Sequence, residues 1–218
     1  MIWNKRRQTA ADKRALVTLF NPESAISDQF RTVRANLQFL AEENKQGAIV
    51  ITSPGSGEGK STTAANLAIS MAQQKDRVLL IDANIKEPSI HSMFELSNEA
   101  GLTNILMYDV KLEEVACQTE LENLEILPSG STTFSPAELL GSQEMKSFLN
   151  EVKSLYDVVV IDAPSVLDFS ETRVLAHQCD GVLLVMNRYK TEVKHVQEAK
   201  RVLELADAHL IGGIMNEA

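Results

Sequence analysis

The chain has 218 residues and a formal net charge of −9; hydrophobic residues make up 44% of it and charged residues 23%. That length suffices for one sizeable core, and the proportions are those of an ordinary globular domain. The acidic balance argues against general nucleic-acid binding, which requires a basic face. No apolar run reaches transmembrane length and no secretory signal opens the chain, so we expect a cytoplasmic protein whose Cys117 and Cys179 are free thiols.

The start of the chain differs from the rest in charge. Residues 1–18 contain the only tryptophan, Trp3, and five basic residues against one acidic residue. We predict a basic, flexible segment over residues 1–20, followed by a single domain over residues 21–218. Two interpretations of this segment stay open: contact with an anionic membrane or a partner, and a solvated terminus.

Apolar periodicity predicts helices that alternate with short aliphatic strands. The predicted helices cover residues 27–42, 60–73, 102–107, 112–116, 143–155, 171–177 and 192–206, with helical turns after Pro88 and Ser135. The predicted strands cover residues 47–52, 77–81, 124–127, 158–161, 181–186 and 209–215. This alternation is typical of a mostly parallel sheet with helices on both faces, so we predict an α/β fold.

The most informative stretch is Pro-Gly-Ser-Gly-Glu-Gly-Lys-Ser-Thr at residues 54–62, between the first strand and the next helix. A glycine-rich turn can point backbone N–H groups at phosphate oxygens, and the following helix adds its positive end. Pro54 occupies a position where glycine is usual and has no N–H to donate. The stretch predicts a P-loop NTPase that binds ATP through Gly55, Gly57, Glu58, Gly59, Lys60, Ser61 and Thr62; the alternative is a glycine-rich turn without a ligand.

Two aspartates, Asp82 and Asp162, each come directly after an aliphatic strand. In a parallel sheet both would lie at the carboxyl edge beside the glycine-rich loop. Mg²⁺ bound to ATP needs oxygen ligands, so we predict magnesium ligands at Ser61, Asp82 and Asp162. The alternative for either aspartate alone is a helix cap. Residues 187–190 end another strand at this edge, where they either border the nucleotide or form a plain loop.

Together, residues 57–62, 79–88 and 156–164 resemble the three nucleotide motifs of the bacterial tyrosine kinases of capsule and exopolysaccharide synthesis. Residues 28–36 and 135–140 also resemble segments of that family, so the resemblance covers nearly the whole chain. The family belongs to the deviant P-loop ATPases, which include the MinD- and ParA-like positioning proteins. A partitioning ATPase would usually carry lysine at the position of Gly55 and would lack the arginine-bearing helix.

The resemblance implies an ATP- and Mg²⁺-dependent protein-tyrosine kinase with Lys60, Asp82 and Asp162 as catalytic residues. Asp82 would help to deprotonate a tyrosine hydroxyl, and Asn216 would contact adenine. The resemblance also implies ring-like homo-oligomers and, as partner, the cytosolic segment of a membrane chain-length regulator that recruits the chain to the membrane. The residues implied in ring assembly are Asp28, Arg31 and Arg34.

The chain departs from the family pattern at several positions. Asn84 and Glu171 stand where aspartate is usual, and Asp28 stands where glutamate is usual. The family's tyrosine-rich tail has no counterpart, because the only tyrosines are Tyr108, Tyr156 and Tyr189, and we expect Tyr156 to be packed. Two alternatives stay open: a regulatory P-loop ATPase without tyrosine transfer, and a MinD- or ParA-like positioning ATPase.

Overall fold

The computed structural model describes residues 15–41, 47–133 and 135–217. Most of the predicted N-terminal segment, including Trp3 and its five basic residues, lies outside these ranges. Within the segment, helix α1 covers Val17–Phe20, and Leu16 and Thr18 are buried. The Thr18 hydroxyl donates a hydrogen bond to Asn66 Oδ1 at 2.7 Å. Residues 16–20 are therefore packed on the domain, and the flexibility of residues 1–14 stays a prediction.

Ten helices are described, and most match the predicted positions within two residues. After α1 they are α2 (Ala25–Ala41), α3 (Lys60–Ala72), α4 (Ile90–Met93), α5 (Leu102–Tyr108), α6 (Leu112–Val115), α7 (Pro136–Leu140), α8 (Gln143–Leu155), α9 (Glu171–His177) and α10 (Val193–Leu205). None of these helices combines the length and apolar character needed to cross a membrane. Helix α1 has no counterpart among the predicted elements.

Seven strands form one sheet in the order β3-β4-β2-β5-β1-β6-β7. They are β1 (Ala48–Thr52), β2 (Val78–Asp82), β3 (Cys117–Gln118), β4 (Leu124–Leu127), β5 (Val158–Asp162), β6 (Gly181–Asn187) and β7 (Leu210–Asn216). All neighbouring strands are parallel except β3, which pairs antiparallel with β4. The predicted α/β fold is confirmed, with β3 as an additional two-residue strand.

The central strands are aliphatic because both of their faces are covered. Along β2, Leu79 and Ile81 belong to one buried cluster and Val78 and Leu80 to the opposite one. Side chains alternate between the two faces of a strand, so a strand buried on both sides needs apolar residues at every position. This burial fixes the register in which the carboxyl ends of the strands meet, and the candidate site lies at that edge.

Candidate nucleotide-binding site

The glycine-rich loop joins the end of β1 to the start of α3 and depends on glycine at two positions. Gly57 and Gly59 have φ values of 71° and 90°, in the region that favours glycine. A Cβ atom on Gly59 would lie 2.0 Å from Asn216 Nδ2, and one on Gly57 would lie 2.9 Å from Lys190 Nζ. The loop therefore requires glycine both for its backbone conformation and for the close approach of these two side chains.

Pro54 fits the loop because its backbone is held by other means. Its side chain is buried, and its carbonyl accepts a hydrogen bond from the N–H of Leu167 at 3.4 Å. Ser53 donates its hydroxyl to the carbonyl of Gly55 at 2.6 Å. The first half of the loop is thus fixed against the segment that follows β5, and proline at position 54 interrupts none of these hydrogen bonds.

The second half of the loop is contacted from the connection between β6 and α10 and from the end of β7. The Lys190 ammonium donates a hydrogen bond to the carbonyl of Ser56, and Asn216 Nδ2 donates to the carbonyl of Glu58 at 3.1 Å. The Glu58 side chain is buried, and this burial raises its pKa, while the Thr191 hydroxyl acts in the opposite direction. Residues 187–190 thus include a contact to the phosphate loop, and whether they border a nucleotide stays a prediction.

Lys60, Ser61 and Thr62 form the first turn of α3 and are half-buried. This places an ammonium group and two hydroxyl groups at the positive end of a 13-residue helix. Gly59 adopts the left-handed conformation directly before the helix. The arrangement suits an anion, because the unpaired N–H groups of the first turn and the Lys60 charge lie at the same place.

Asp82 is buried at the end of β2, and both of its oxygens accept backbone hydrogen bonds. Oδ1 accepts from the N–H of Asn84 at 3.1 Å, and Oδ2 accepts from the N–H groups of Ser89 and Ile90, each at 3.0 Å. Burial raises the pKa of Asp82, while these backbone bonds and the charge of Lys60 act in the opposite direction. Asp82 therefore organises the turn into α4 as well as facing the site.

Asp162 ends β5 and is paired with Asp82 in the strand register. Its carboxylate oxygens are less well hydrogen-bonded than those of Asp82. It is fully buried, and neither carboxylate oxygen has a hydrogen-bond partner of good geometry in the described part of the chain. Burial raises its pKa first, and the Asp82 charge adds to the rise; Lys60 and the Ser61 hydroxyl lower it. A buried, unsatisfied carboxylate beside a hydroxyl suits a Mg²⁺ ion with its coordinated waters, so these residues fit the predicted metal.

Asn84 and Glu171, two of the departures from the family pattern, have defined partners. Asn84 Nδ2 donates to the carbonyl of Glu87 at 2.8 Å, while its buried Oδ1 has no partner in the described chain. Glu171 is buried and pairs with Lys86 at 3.1 Å, and the Lys86 ammonium also lies 4.9 Å from the centre of the Phe169 ring. The pair joins the segment after β2 to α9, which follows the neighbouring strand β5.

The three residues implied in ring assembly do not share one environment. Asp28 and Arg31 are exposed and pair with each other on α2. Arg34 is buried and donates hydrogen bonds to the carbonyl and the hydroxyl of Ser70 on α3. Three residues along a helix turn by about 300°, so Arg34 lies about 60° from Arg31 and faces the domain. An interface role for Asp28, Arg31 and Arg34 stays a prediction; within the chain, Arg34 stabilises α2 on α3.

The three tyrosines of the chain also differ in surroundings. Tyr156 is half-buried against the core, and its hydroxyl donates to Glu125 at 2.7 Å, as the expectation of packing required. Burial and Glu125 raise its pKa. Tyr108 and Tyr189 are exposed by 68% and 77%, respectively. Among the tyrosines, only Tyr108 and Tyr189 therefore present their rings to solvent.

A parallel sheet with a glycine loop at the carboxyl end of β1 defines the class of protein. The loop opens into a helix that begins with Lys60 and Ser61, and the buried Asp162 ends the neighbouring strand β5. This is the arrangement of a P-loop NTPase.

Comparisons with known proteins narrow the class. The family model described as an AAA domain matches residues 46–207. Tyrosine-protein kinase YwqD of Bacillus subtilis is 39% identical over 204 residues, which cover 94% of this chain and 86% of the relative. The crystal structure of the chimerical protein CapA2B2 superposes with a TM-score of 0.90 at 32% identity, over 94% of this chain and 90% of that one. The chain belongs to the bacterial tyrosine-protein kinases, within the AAA-domain family.

A more distant structure shows the breadth of the fold. The septum site-determining protein MinD of Pyrococcus horikoshii, solved with Mg-ADP, is 24% identical with a TM-score of 0.66, over 78% of this chain and 70% of that one. At this identity the similarity shows the fold alone.

The sequence predicts the loop and the two aspartates, but it leaves two interpretations for residues 187–190 and does not indicate that Glu58, within the loop, is buried. A basic residue just beyond a strand at the nucleotide edge is a weak signal of phosphate-loop contact. Glu58 carries no such signal, because a charged residue within a glycine-rich loop is expected to be exposed.

Proposed function

We propose that this chain is an ATP- and Mg²⁺-dependent protein-tyrosine kinase that regulates capsular or exopolysaccharide synthesis. The observation that supports this most directly is that the glycine loop and the unsatisfied buried carboxylate of Asp162 occur at the same edge of the sheet. A carboxylate buried without donors is costly in a protein interior, so its retention is best explained by a cation that it meets in the working state.

In the proposed reaction, the chain contributes position and charge. The backbone of residues 55–59 and the Lys60 ammonium hold the phosphates, and Ser61 and Asp162 would hold Mg²⁺. When bound, Mg²⁺ supplies charge neutralisation on the phosphate oxygens. Asp82 faces the same space with a raised pKa, which suits a group that accepts a proton near neutral pH, although its backbone hydrogen bonds restrict how it can move.

The setting of the reaction is also part of the proposal. We infer that the chain works in the cytoplasm and is brought to the inner face of the membrane by the cytosolic segment of a chain-length regulator. Homo-oligomers would form through α2, where Asp28 and Arg31 are exposed. The acidic net charge of −9 is consistent with a protein partner and offers no support for nucleic-acid binding.

Radiolabelled ATP tests the activity directly. The full chain is incubated with Mg·ATP and a copolymer of glutamate and tyrosine, with and without the adaptor segment, and phosphotyrosine and free phosphate are both measured. We expect phosphotyrosine on the copolymer, and loss of it in the Lys60→Met variant. ATP turnover without phosphotyrosine would reject the kinase and leave the regulatory ATPase.

The regulatory ATPase is the second candidate, and one observation favours it. Asn84 replaces an acid that the family usually carries, and its amide is used to hold the carbonyl of Glu87. The segment after β2 therefore has one negative charge fewer with which to hold Mg²⁺ or to take the tyrosine proton. The ratio of phosphotyrosine to free phosphate in the same incubation decides between the two candidates.

A further inference from the structure

The loop between β6 and α10 contacts the second half of the phosphate loop through Lys190. Its Lys190 reaches the carbonyl of Ser56, 134 residues earlier in the chain, while the Ser56 and Gly57 side of the phosphate loop is exposed. Lys190 Nζ also limits the space beside Gly57, where an added Cβ would lie 2.9 Å away. Lys190 therefore brings a positive charge to this loop from a different element than Lys60, which begins α3.

Residues 187–191 are themselves held in a closed turn. The N–H of Asn187 donates to the Thr191 hydroxyl at 2.8 Å, and the N–H of Thr191 donates to the carbonyl of Asn187 at 2.8 Å. The N–H of Lys190 donates to the same carbonyl at 3.2 Å. The backbone that carries Lys190 is thus fixed, and only its side chain must be ordered to reach Ser56.

Glu58 provides a second connection between the two loops. Its side chain is only 4% exposed and lies near the Thr191 hydroxyl and the backbone of Gly55. The charge of Lys190 also acts on this carboxyl group and favours its ionised form. A buried acid in a loop of small residues is costly unless it is held, so Glu58 and residues 190–191 stabilise each other.

We propose that Lys190 is a positioning residue of the phosphate loop, which holds residues 56–58 in the binding conformation from the side opposite the phosphates. In a P-loop the N–H groups turn towards the ligand, so a bond to the Ser56 carbonyl acts on the outer side. Ordering a glycine-rich loop costs conformational entropy, and a loop that is already ordered loses less of this entropy on binding. Lys190 thereby sets nucleotide affinity without joining the chemistry. This inference rests on the proposed nucleotide site.

The test compares Lys190→Met with Lys194→Met, which removes an exposed lysine that pairs with Glu192. We expect the Lys190→Met variant to weaken Mg·ADP binding by about three- to tenfold, the net range of one ordinary hydrogen bond, because the bond to Ser56 is exposed to solvent. It should raise KM for ATP by a similar factor and leave kcat within about twofold. Lys194→Met should change neither quantity.

A readout that global instability would not produce is hydrogen exchange at the amides of residues 55–59 in nucleotide-free protein. We expect faster exchange there in Lys190→Met at an unchanged melting temperature, and near-normal exchange and affinity in Lys190→Arg, which keeps a donor of similar reach. Unchanged affinity in Lys190→Met, or equal losses in the Met and Arg variants, would overturn the proposal. If Lys60→Met also binds and turns over ATP normally, the nucleotide site itself is wrong.

Discussion

The ends of β2 and β5 differ in a way that their sequences do not show. Each is an aliphatic strand that ends in a buried aspartate, and Asp82 and Asp162 are paired in the strand register. Asp82 accepts three backbone hydrogen bonds, whereas Asp162 has no hydrogen-bond partner of good geometry in the described chain. The same local pattern thus gives one carboxylate whose oxygens accept backbone hydrogen bonds and one whose oxygens are available to a ligand.

Lys60 is the feature that both aspartates share, because its charge lowers the pKa of each. We expect Lys60→Met to reduce ATP turnover and any phosphotransfer by at least about 10²–10³-fold, as loss of one aimed donor typically does. The fold should remain, since Lys60 is half-buried on the first turn of α3. Turnover is measured by phosphate release and the fold by circular dichroism. Unchanged turnover would remove the site assignment for all three residues.

Asp162→Asn is expected to lower activity while it raises the stability of the fold. We expect turnover to fall by about 10²-fold or more, because a charged oxygen ligand is lost. Without nucleotide or Mg²⁺, the same variant should melt at a higher temperature than the parent at neutral pH. The raised pKa of Asp162 means that the folded state holds its proton more tightly than the unfolded state does.

The sign of the pH dependence follows from this raised pKa. Stability from a group of this kind is present in acid and is lost as the pH rises from about 4 towards neutrality. The melting-temperature gain of Asp162→Asn should therefore be larger at pH 7.5 than at pH 5, measured with a chelator present.

Asp157→Asn is the matched control. The exposed carboxylate of Asp157 pairs with Arg77, and this pairing lowers the pKa of Asp157. The stability that Asp157 contributes is therefore lost as the pH falls. A gain for Asp162→Asn that is independent of pH would contradict the description of its environment.

Asp82→Asn tests the other half of the comparison. The amide would place N–H donors against one or more of the N–H groups of Asn84, Ser89 and Ile90. The raised pKa of Asp82 favours the neutral amide at neutral pH, as for Asp162, but the buried donors left unsatisfied cost about 1–3 kcal/mol, so we expect Asp82→Asn to be clearly less stable than Asp162→Asn. Urea denaturation of both variants at pH 7.5 measures the difference in the free energy of unfolding. An equal stability of the two variants would show that Asp82 and Asp162 are equivalent after all.

Asn84→Asp is expected to have the smallest effect on stability. The carbonyl of Glu87 would lose the donor at 2.8 Å and face an acceptor, at a cost of about 1 kcal/mol. The new charge lies next to Asp82, so the cost should shrink when Mg·ADP is added. Melting curves with and without Mg·ADP give both numbers. An equal cost in the two conditions would place Asn84 outside the influence of the metal.

Much of the fold was predictable, for reasons that differ between elements. The central strands were predicted because a strand covered on both faces needs an unbroken aliphatic run, as in Val158–Asp162. The two-residue β3 is too short to show periodicity, and the four-residue α1 lies within the segment that was predicted to be flexible, so neither was predicted. The loop and the two aspartates were predictable because the order of strand, glycine-rich turn, lysine and hydroxyl is what phosphate binding requires, and an aspartate after a parallel strand lies at the same edge.

The hydrogen-bond partners of those residues were not predictable, because they come from distant parts of the chain. Arg34 donates to Ser70, and Lys190 donates to Ser56. The apolar positions of α2 place Arg34 nearer the buried face than Arg31, but no local pattern indicates Ser70 as its partner or distinguishes Lys190 from Lys194. The same applies to Asp82 and Asp162, whose sequence contexts are alike and whose surroundings are not.

The hydrogen bond from Asn216 to the carbonyl of Glu58 joins residues 158 positions apart. During synthesis the glycine-rich loop leaves the ribosome long before its last neighbour does, and at about 5–20 residues per second the interval is roughly ten to thirty seconds. Until β7 inserts at the sheet edge, the nascent chain has no complete cradle to offer a nucleotide. Under the proposed function, ATP binding would therefore be a late event in biogenesis, after residue 216 has been translated.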